Sequence, residues 1–123
     1  MLVFFPQISN FGGSRSIKMS NGYFQFRQFT VHQDQCAMKV TTDACLFGAC
    51  VAHQIMNEKK ELTIALDIGT GSGLLSLMVA QKTELQIDTI EIDNVAFQQA
   101  ENNIASSPWK GRITSFHGDV RNF

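Results

Sequence analysis

The stretch of sequence with the clearest chemistry is Ala65-Leu66-Asp67-Ile68-Gly69-Thr70-Gly71-Ser72-Gly73-Leu74, where three alternate glycines follow an acid. Glycines in that pattern let a chain turn sharply and bring its backbone against a ligand at a helix N-terminus. The spacing separates two kinds of ligand. A dinucleotide fingerprint, G-x-G-x-x-G, would place its third glycine at 74, and 74 is Leu. The G-x-G-x-G spacing with a preceding acid suits S-adenosylmethionine instead. The methionyl end of that cofactor carries an ammonium and a sulfonium, so Asp67 attracts the ammonium, directly or through water. The helix N-terminus then takes the carboxylate. A pyrophosphate in the same place would be repelled by Asp67. Asp67, Gly69, Thr70, Gly71 and Gly73 are therefore the first candidate cofactor residues. The competing reading is a glycine turn with no ligand, since strand-to-helix junctions also use glycine for geometry alone.

Two further anchors fit the same ligand. Glu91 ends an apolar run about twenty residues beyond the glycines, where such folds place an acid that takes both ribose hydroxyls. Ile92 adjoins it, and Asp93 is better explained as a helix cap. In Gly118-Asp119-Val120, Asp119 can accept from the adenine amine while the Val120 backbone N–H donates to the ring. A Gly-Asp turn is common, so this third anchor draws its meaning from the first two.

The elements that must hold these residues follow from periodicity. Residues 62–67 form a short apolar run of the kind a buried parallel strand shows. Residues 74–82 read as helix, 87–92 as a second strand, 94–105 as a second helix capped by Asp93, and 113–117 as a third strand after the break at Pro108. Strands alternating with helices imply a parallel sheet with right-handed crossovers. The predicted fold is α/β and Rossmann-like, truncated after the third parallel strand. Its first strand, 62–67, is expected to stand as an open apolar edge that invites self-association. Upstream, residues 23–31 alternate as a strand or hairpin. Thr42 or Asp43 caps a helix whose body is 44–56, and 57–61 is a solvated charged break. Gly, Ser and Asn dominate residues 9–22. Domain organisation is thus a flexible leader (1–21), of which residues 1–18 are expected to contribute almost nothing to the fold, a cap segment (22–61) and the first half of a cofactor-binding domain (62–123).

A chain of 123 residues with 44% hydrophobic content supports one folded domain. Its net charge of −1 argues against a standing electrostatic grip on nucleic acid, although an enzyme meeting RNA briefly needs none. Cys36, Cys45 and Cys50 lack metal-type pairing. Cys36 with His32 makes a poor zinc site, so no metal is expected and the thiols read as reduced. The apolar start is too short for a signal core or a membrane span, so a soluble, cytoplasmic protein is expected. His53 and His117 stand without evident partners, Lys59-Lys60 sits among acids, and the stripe of Leu75, Met78 and Val79 reads as core.

Over residues 62–121 the chain resembles the class I methyltransferases. A narrower resemblance is carried by Phe26-Arg-Gln-Phe29, His32-Gln-Asp34, Cys36-Ala-Met-Lys-Val40, Thr42-Asp43 and Leu46-Phe-Gly-Ala49. Gly71-Ser-Gly-Leu-Leu-Ser-Leu-Met78 and Ser107-Pro-Trp109 agree with it. These match the bacterial valine-tRNA adenine-N6 methyltransferases. The resemblance implies that Lys39, Thr42 and Asp43 lie over the cofactor's methionyl end. It also implies a tRNA partner whose acceptor is the exocyclic amine of an adenine beside the anticodon.

Two departures accompany it. The family pattern has Gly where this chain has Thr41, which would strain the turn if that position needs a positive φ. The family also carries Asn-Pro-Pro-(Tyr/Phe), which holds the amine hydrogens and stacks on the flipped base. The only prolines here are Pro6 and Pro108. Ser107-Pro108-Trp109 lies on the wrong connection, and Trp109 reads as a packing residue. No catalytic residue is therefore assigned, and the fragment is expected to be inactive. The rivals are a nicotinamide oxidoreductase, a methyltransferase for another RNA or for protein glutamine, and a non-catalytic cofactor-binding fragment.

Overall fold

The computed structural model describes residues 2–3, 22–37 and 39–123. In chain order the elements are β1 (Leu2–Val3), β2 (Tyr23–Gln25), β3 (Thr30–His32), α1 (Thr42–Asn57), β4 (Ile64–Ile68), α2 (Leu74–Lys82), β5 (Gln86–Glu91), α3 (Asn94–Ala105) and β6 (Ile113–His117). A single 3-10 turn follows at Val120–Asn122. The expected β-α-β-α-β alternation is present. Strands β4, β5 and β6 lie side by side and parallel, with Asp67 opposite Thr89 and Glu91 opposite His117. This register brings the chemistry-bearing strand ends to one edge of the sheet, where open α/β sheets bind ligands.

The core forms where the helices cover one sheet face. Ala65 and Ile87 cluster with Leu74, Leu77, Val79 and Ala80 of α2 and with Ala100 and Ile104 of α3. Helix α2 is buried around most of its circumference, because α1 packs on its outer side. Gly48 permits that approach, since a Cβ there would lie 2.6 Å from the Met78 sulfur. The cap hairpin docks by aromatic contacts. Phe26 stacks on Phe29 at 4.5 Å, and Phe29 meets Trp109 edge-on at 5.5 Å, so Trp109 packs as expected.

Two local features differ from the sequence reading, and a third had no counterpart in it. The N-cap of α1 is Thr41, whose Oγ1 accepts from the Ala44 N–H at 3.1 Å, while Thr42 and Asp43 already occupy the first helical turn. Thr41 has φ −123° and ψ 159°, extended backbone that any residue adopts, so threonine at the family's glycine position carries no strain. Second, Leu2 and Val3, placed by the sequence in a leader, pair in parallel with Leu66 and Asp67. The edge of β4 expected to stand open is thus partly occupied. The remaining leader positions, 1 and 4–21, lie outside the described residues.

Third, Arg112 gathers three backbone carbonyls at the end of α2. Its Nη1 donates to Thr83 O (2.8 Å) and Leu85 O (3.0 Å), and its Nη2 to Ala80 O (2.8 Å). A cation there satisfies one carbonyl of the last helical turn, Ala80, and two just beyond it, and complements the negative end of the helix dipole.

Candidate functional site

The glycine loop joins β4 to α2 with Gly69, Gly71 and Gly73 at φ of 71°, 57° and 82°. A side chain would meet nothing within 4 Å at Gly69 or Gly71, so conformation rather than space demands glycine there, and the loop's outer surface is open. Gly73 is the N-cap of α2 and offers no side-chain cap, which leaves the first helical N–H groups to other partners. The loop is tied to the neighbouring strand, with Gly69 N donating to Ile90 O at 2.8 Å.

Asp67 lies beneath this loop and is 3% exposed. Its Oδ2 accepts from Thr70 Oγ1 (2.8 Å) and Ser76 Oγ (2.5 Å), while its Oδ1 has no partner. Burial pushes the carboxyl pKa up. The two hydroxyls oppose that shift, and the nearby Glu91 adds to it. Thr70 therefore turns its hydroxyl inward as a brace for Asp67, while its backbone N–H points to Ile90 O and its carbonyl accepts from Gly73 N at 2.9 Å. Ser76 makes the second brace and went unrecognised in the sequence. Its signal would have been a hydroxyl nine residues after Asp67 on the α2 face that covers β4.

Glu91 reaches the same loop. Its Oε2 accepts from Gly71 N at 2.9 Å and its Oε1 from Asp93 N at 3.0 Å. Asp93 caps α3 through Ala96 N at 2.8 Å, as expected. Ile92, next to Glu91, is exposed, and its carbonyl meets His117 Nε2 at 3.2 Å. His117 also stacks on Phe97 at 5.3 Å, so this histidine is a packing and hydrogen-bonding residue.

Asp119 and Val120 follow β6. Arg121 grips Asp119 through its backbone N–H, Nε and Nη2, which holds the Asp119 carboxyl down at about 2. Val120 opens the 3-10 turn and is partly exposed. The structure thus brings Asp67, Gly69, Thr70, Gly71, Gly73, Glu91 and Ile92 together at the carboxyl ends of β4 and β5, with Asp119 and Val120 after β6.

Lys39, Thr42 and Asp43 are exposed residues of the cap segment. The Lys39 ammonium donates to Gln33 O at 2.7 Å. The link from cap to glycine loop that the structure shows runs through α3, where Asn103 bonds both His32 and Ser72. Sequence reasoning missed that residue. Its only signal was an amide at a stripe position between Ala100 and Ile104.

A family model described as ribosomal protein L11 methyltransferase (PrmA) matches residues 38–120, an interval containing every candidate cofactor residue. The chain belongs to that methyltransferase family. The narrower resemblance read from the motifs is also borne out. A tRNA1(Val) (adenine(37)-N6)-methyltransferase of Dyadobacter fermentans is 53% identical over 104 residues, covering 84% of this chain and 41% of the relative. The protein of the same name from Citrobacter koseri is 50% identical over 110 residues, covering 88% and 42%. The chain therefore spans about two fifths of the length of the curated relatives it matches.

Solved structures agree on the fold. P. horikoshii TYW2 in complex with MeSAdo superposes with a TM-score of 0.68 at 20% identity, over 82% of this chain and 37% of that one. An S-adenosylmethionine-dependent methyltransferase from Geobacter sulfurreducens in complex with S-adenosyl-L-homocysteine gives 0.54 at 22%, over 71% and 34%. The α/β, Rossmann-like class I methyltransferase fold is thereby established. Among the described residues no helix is long and apolar enough to cross a membrane, and no cluster of three or more His, Cys, Asp or Glu could hold a metal ion.

Proposed function

We propose that this chain forms the S-adenosylmethionine-holding part of a cytoplasmic methyltransferase acting on an adenine exocyclic amine in tRNA, in valine tRNA next to the anticodon. The observation that carries the cofactor reading is the pairing of two acids with one loop. Asp67 lies under the glycine loop with an unpartnered oxygen, and Glu91 holds the loop's Gly71 N–H from the end of the next strand. The cofactor supplies an electrophilic methyl group on its sulfonium.

The residues present fit it. An ammonium or a bridging water satisfies the orphan Oδ1 of Asp67, whose burial makes an unpaired charge costly. Glu91 makes one bond through each oxygen, and a carboxylate has about four acceptor positions, so it retains capacity for ribose hydroxyls. Ile92 and Val120 offer apolar contact to the ring, and Asp119 accepts from the adenine amine by sharing or releasing Arg121. Lys39, Thr42 and Asp43 close over the methionyl end.

The tRNA acceptor is supported by the shared name of the relatives. The Asn-Pro-Pro-aromatic turn that would aim the amine is assigned to the length of those relatives that this chain does not span. Ile64, Phe116 and Phe123 are exposed apolar residues, which supports self-association of the 123-residue chain and is testable by light scattering. The decisive experiment for the cofactor is calorimetry with S-adenosylhomocysteine and with NAD. Binding should favour the former, and Glu91→Ala should weaken it by about tenfold or more through lost charge-assisted hydrogen bonds. Equal or tighter NAD binding would reject the assignment.

A further inference from the structure

Helix α3 presents a buried face of Ala96, Gln99, Ala100, Asn103 and Ile104. Two amides on an otherwise aliphatic stripe are costly unless every polar atom is satisfied. Asn103, 1% exposed, is satisfied entirely by backbone. Its Oδ1 accepts from His32 N (2.9 Å), and its Nδ2 donates to His32 O (2.8 Å) and Ser72 O (2.8 Å). One turn earlier, Gln99 Oε1 accepts from Gln35 N at 2.8 Å.

The cap backbone at 32–35 is thus held by side-chain amides where a sheet would supply a neighbouring strand. The bonds continue outward. Gln33 Oε1 accepts from Val40 N at 2.7 Å and Gln33 O from Lys39 Nζ at 2.7 Å, which ties Lys39 and Val40 to Gln33 just before the first turn of α1.

The inner end of this chain of bonds is Ser72, between two glycines with left-handed backbone. Glycine tolerates many backbone conformations, so the peptide linking Ser72 to Gly73 has little intrinsic preference for one orientation. Asn103 holds its carbonyl, and its N–H, on Gly73, donates to Thr70 O at 2.9 Å. With both ends held, the peptide has one orientation, and the N-terminus of α2 has one position.

We propose that Asn103 and Gln99 are positioning residues for the cofactor's amino-acid end. They act without touching the ligand, setting the glycine loop and the Lys39 loop in register with one another. The inference rests on the cofactor reading above and deepens it. A purely structural brace would affect all ligands alike. A positioning role affects only ligands that carry the amino-acid end.

The test uses the 123-residue chain with two probes, S-adenosylhomocysteine and 5′-methylthioadenosine, which keeps the nucleoside but lacks the amino-acid end. Trp109 emission reports whether the hairpin remains docked through Phe29. Asn103→Asp keeps the acceptor for His32 N and removes both donors. It should weaken S-adenosylhomocysteine by about tenfold, the size expected for loss of buried hydrogen bonds, with 5′-methylthioadenosine affinity and Trp109 emission unchanged.

Gln99→Leu should act in the same direction. Gln99→Glu, which retains an acceptor for Gln35 N, should restore affinity. Parallel loss of both ligands, no loss of either, or Gln99→Glu as weak as Gln99→Leu would overturn the proposal. If Asn103→Asp fails to fold, the Gln99 pair decides by the same criterion. Wild-type chain that binds neither probe overturns the cofactor reading itself, and this inference with it.

Discussion

Asp67→Asn should stabilise the free chain while damaging cofactor binding. The carboxylate is 3% exposed, two hydroxyls reach its Oδ2, and its Oδ1 is unpartnered. A buried acceptor left unsatisfied costs about 1–3 kcal/mol, and its charge adds to that cost. The upward displacement of the Asp67 pKa says that burial outweighs the Ser76 and Thr70 hydroxyls.

Asparagine keeps an oxygen for those hydroxyls and removes the charge. Thr89, the register neighbour of position 67 on β5, has its own buried hydroxyl without a partner and makes no bond to Asp67, so the gain comes from removing the buried charge. The expected gain is about 1–3 kcal/mol at neutral pH, or roughly 4–12 °C in Tm for a domain of this size. Urea unfolding followed by Trp109 emission and circular dichroism measures it.

The pH dependence checks the sign. An acid whose folded pKa is raised contributes stability below its unfolded value of 3.8 and loses it as pH rises through the folded value. Wild type should therefore lose stability relative to Asp67→Asn as pH climbs from 3.8 into that higher range. Asp119, held down at about 2, acts in the opposite sense at lower pH and is common to both proteins. S-adenosylhomocysteine should bind Asp67→Asn about tenfold or more weakly, because the ammonium loses its charged partner. A less stable Asp67→Asn with no pH-dependent difference from wild type would refute the reasoning.

Two further outcomes follow from the packing. Arg112→Leu should lose about 2–4 kcal/mol in urea unfolding, because three carbonyls lose a charged donor. Arg112→Lys should recover little, since an ammonium cannot span that fork, and Glu84→Gln should change nothing measurable because Glu84 is 97% exposed at 4.0 Å from the guanidinium. Thr41→Ala should cost about 1 kcal/mol through loss of the α1 cap, and Thr41→Gly only a few tenths, read by the same unfolding experiment.

The parts legible in the sequence are those set within a few residues. Apolar runs, cap residues and breakers marked α2, α3 and β6 at the boundaries observed, and the acid-to-glycine spacing separated one cofactor class from another. Local rules reached less far at the cap, where Thr41, Thr42 and Asp43 are all competent to start a helix, and only the folded chain shows Thr41 in that place. They could not reach Asn103, which meets His32 from 71 residues away, or Arg112, whose carbonyls lie 27 to 32 residues back. Nor could they reach Leu2–Val3, whose pairing partners are Leu66 and Asp67. The same limit applies to Asp67. Its type and position were evident from the motif, but the unpartnered oxygen that makes it receptive exists only once α2 and β5 exclude water from around it. A residue's intrinsic chemistry is local, whereas its desolvation and its partners are decided by segments that only folding brings together.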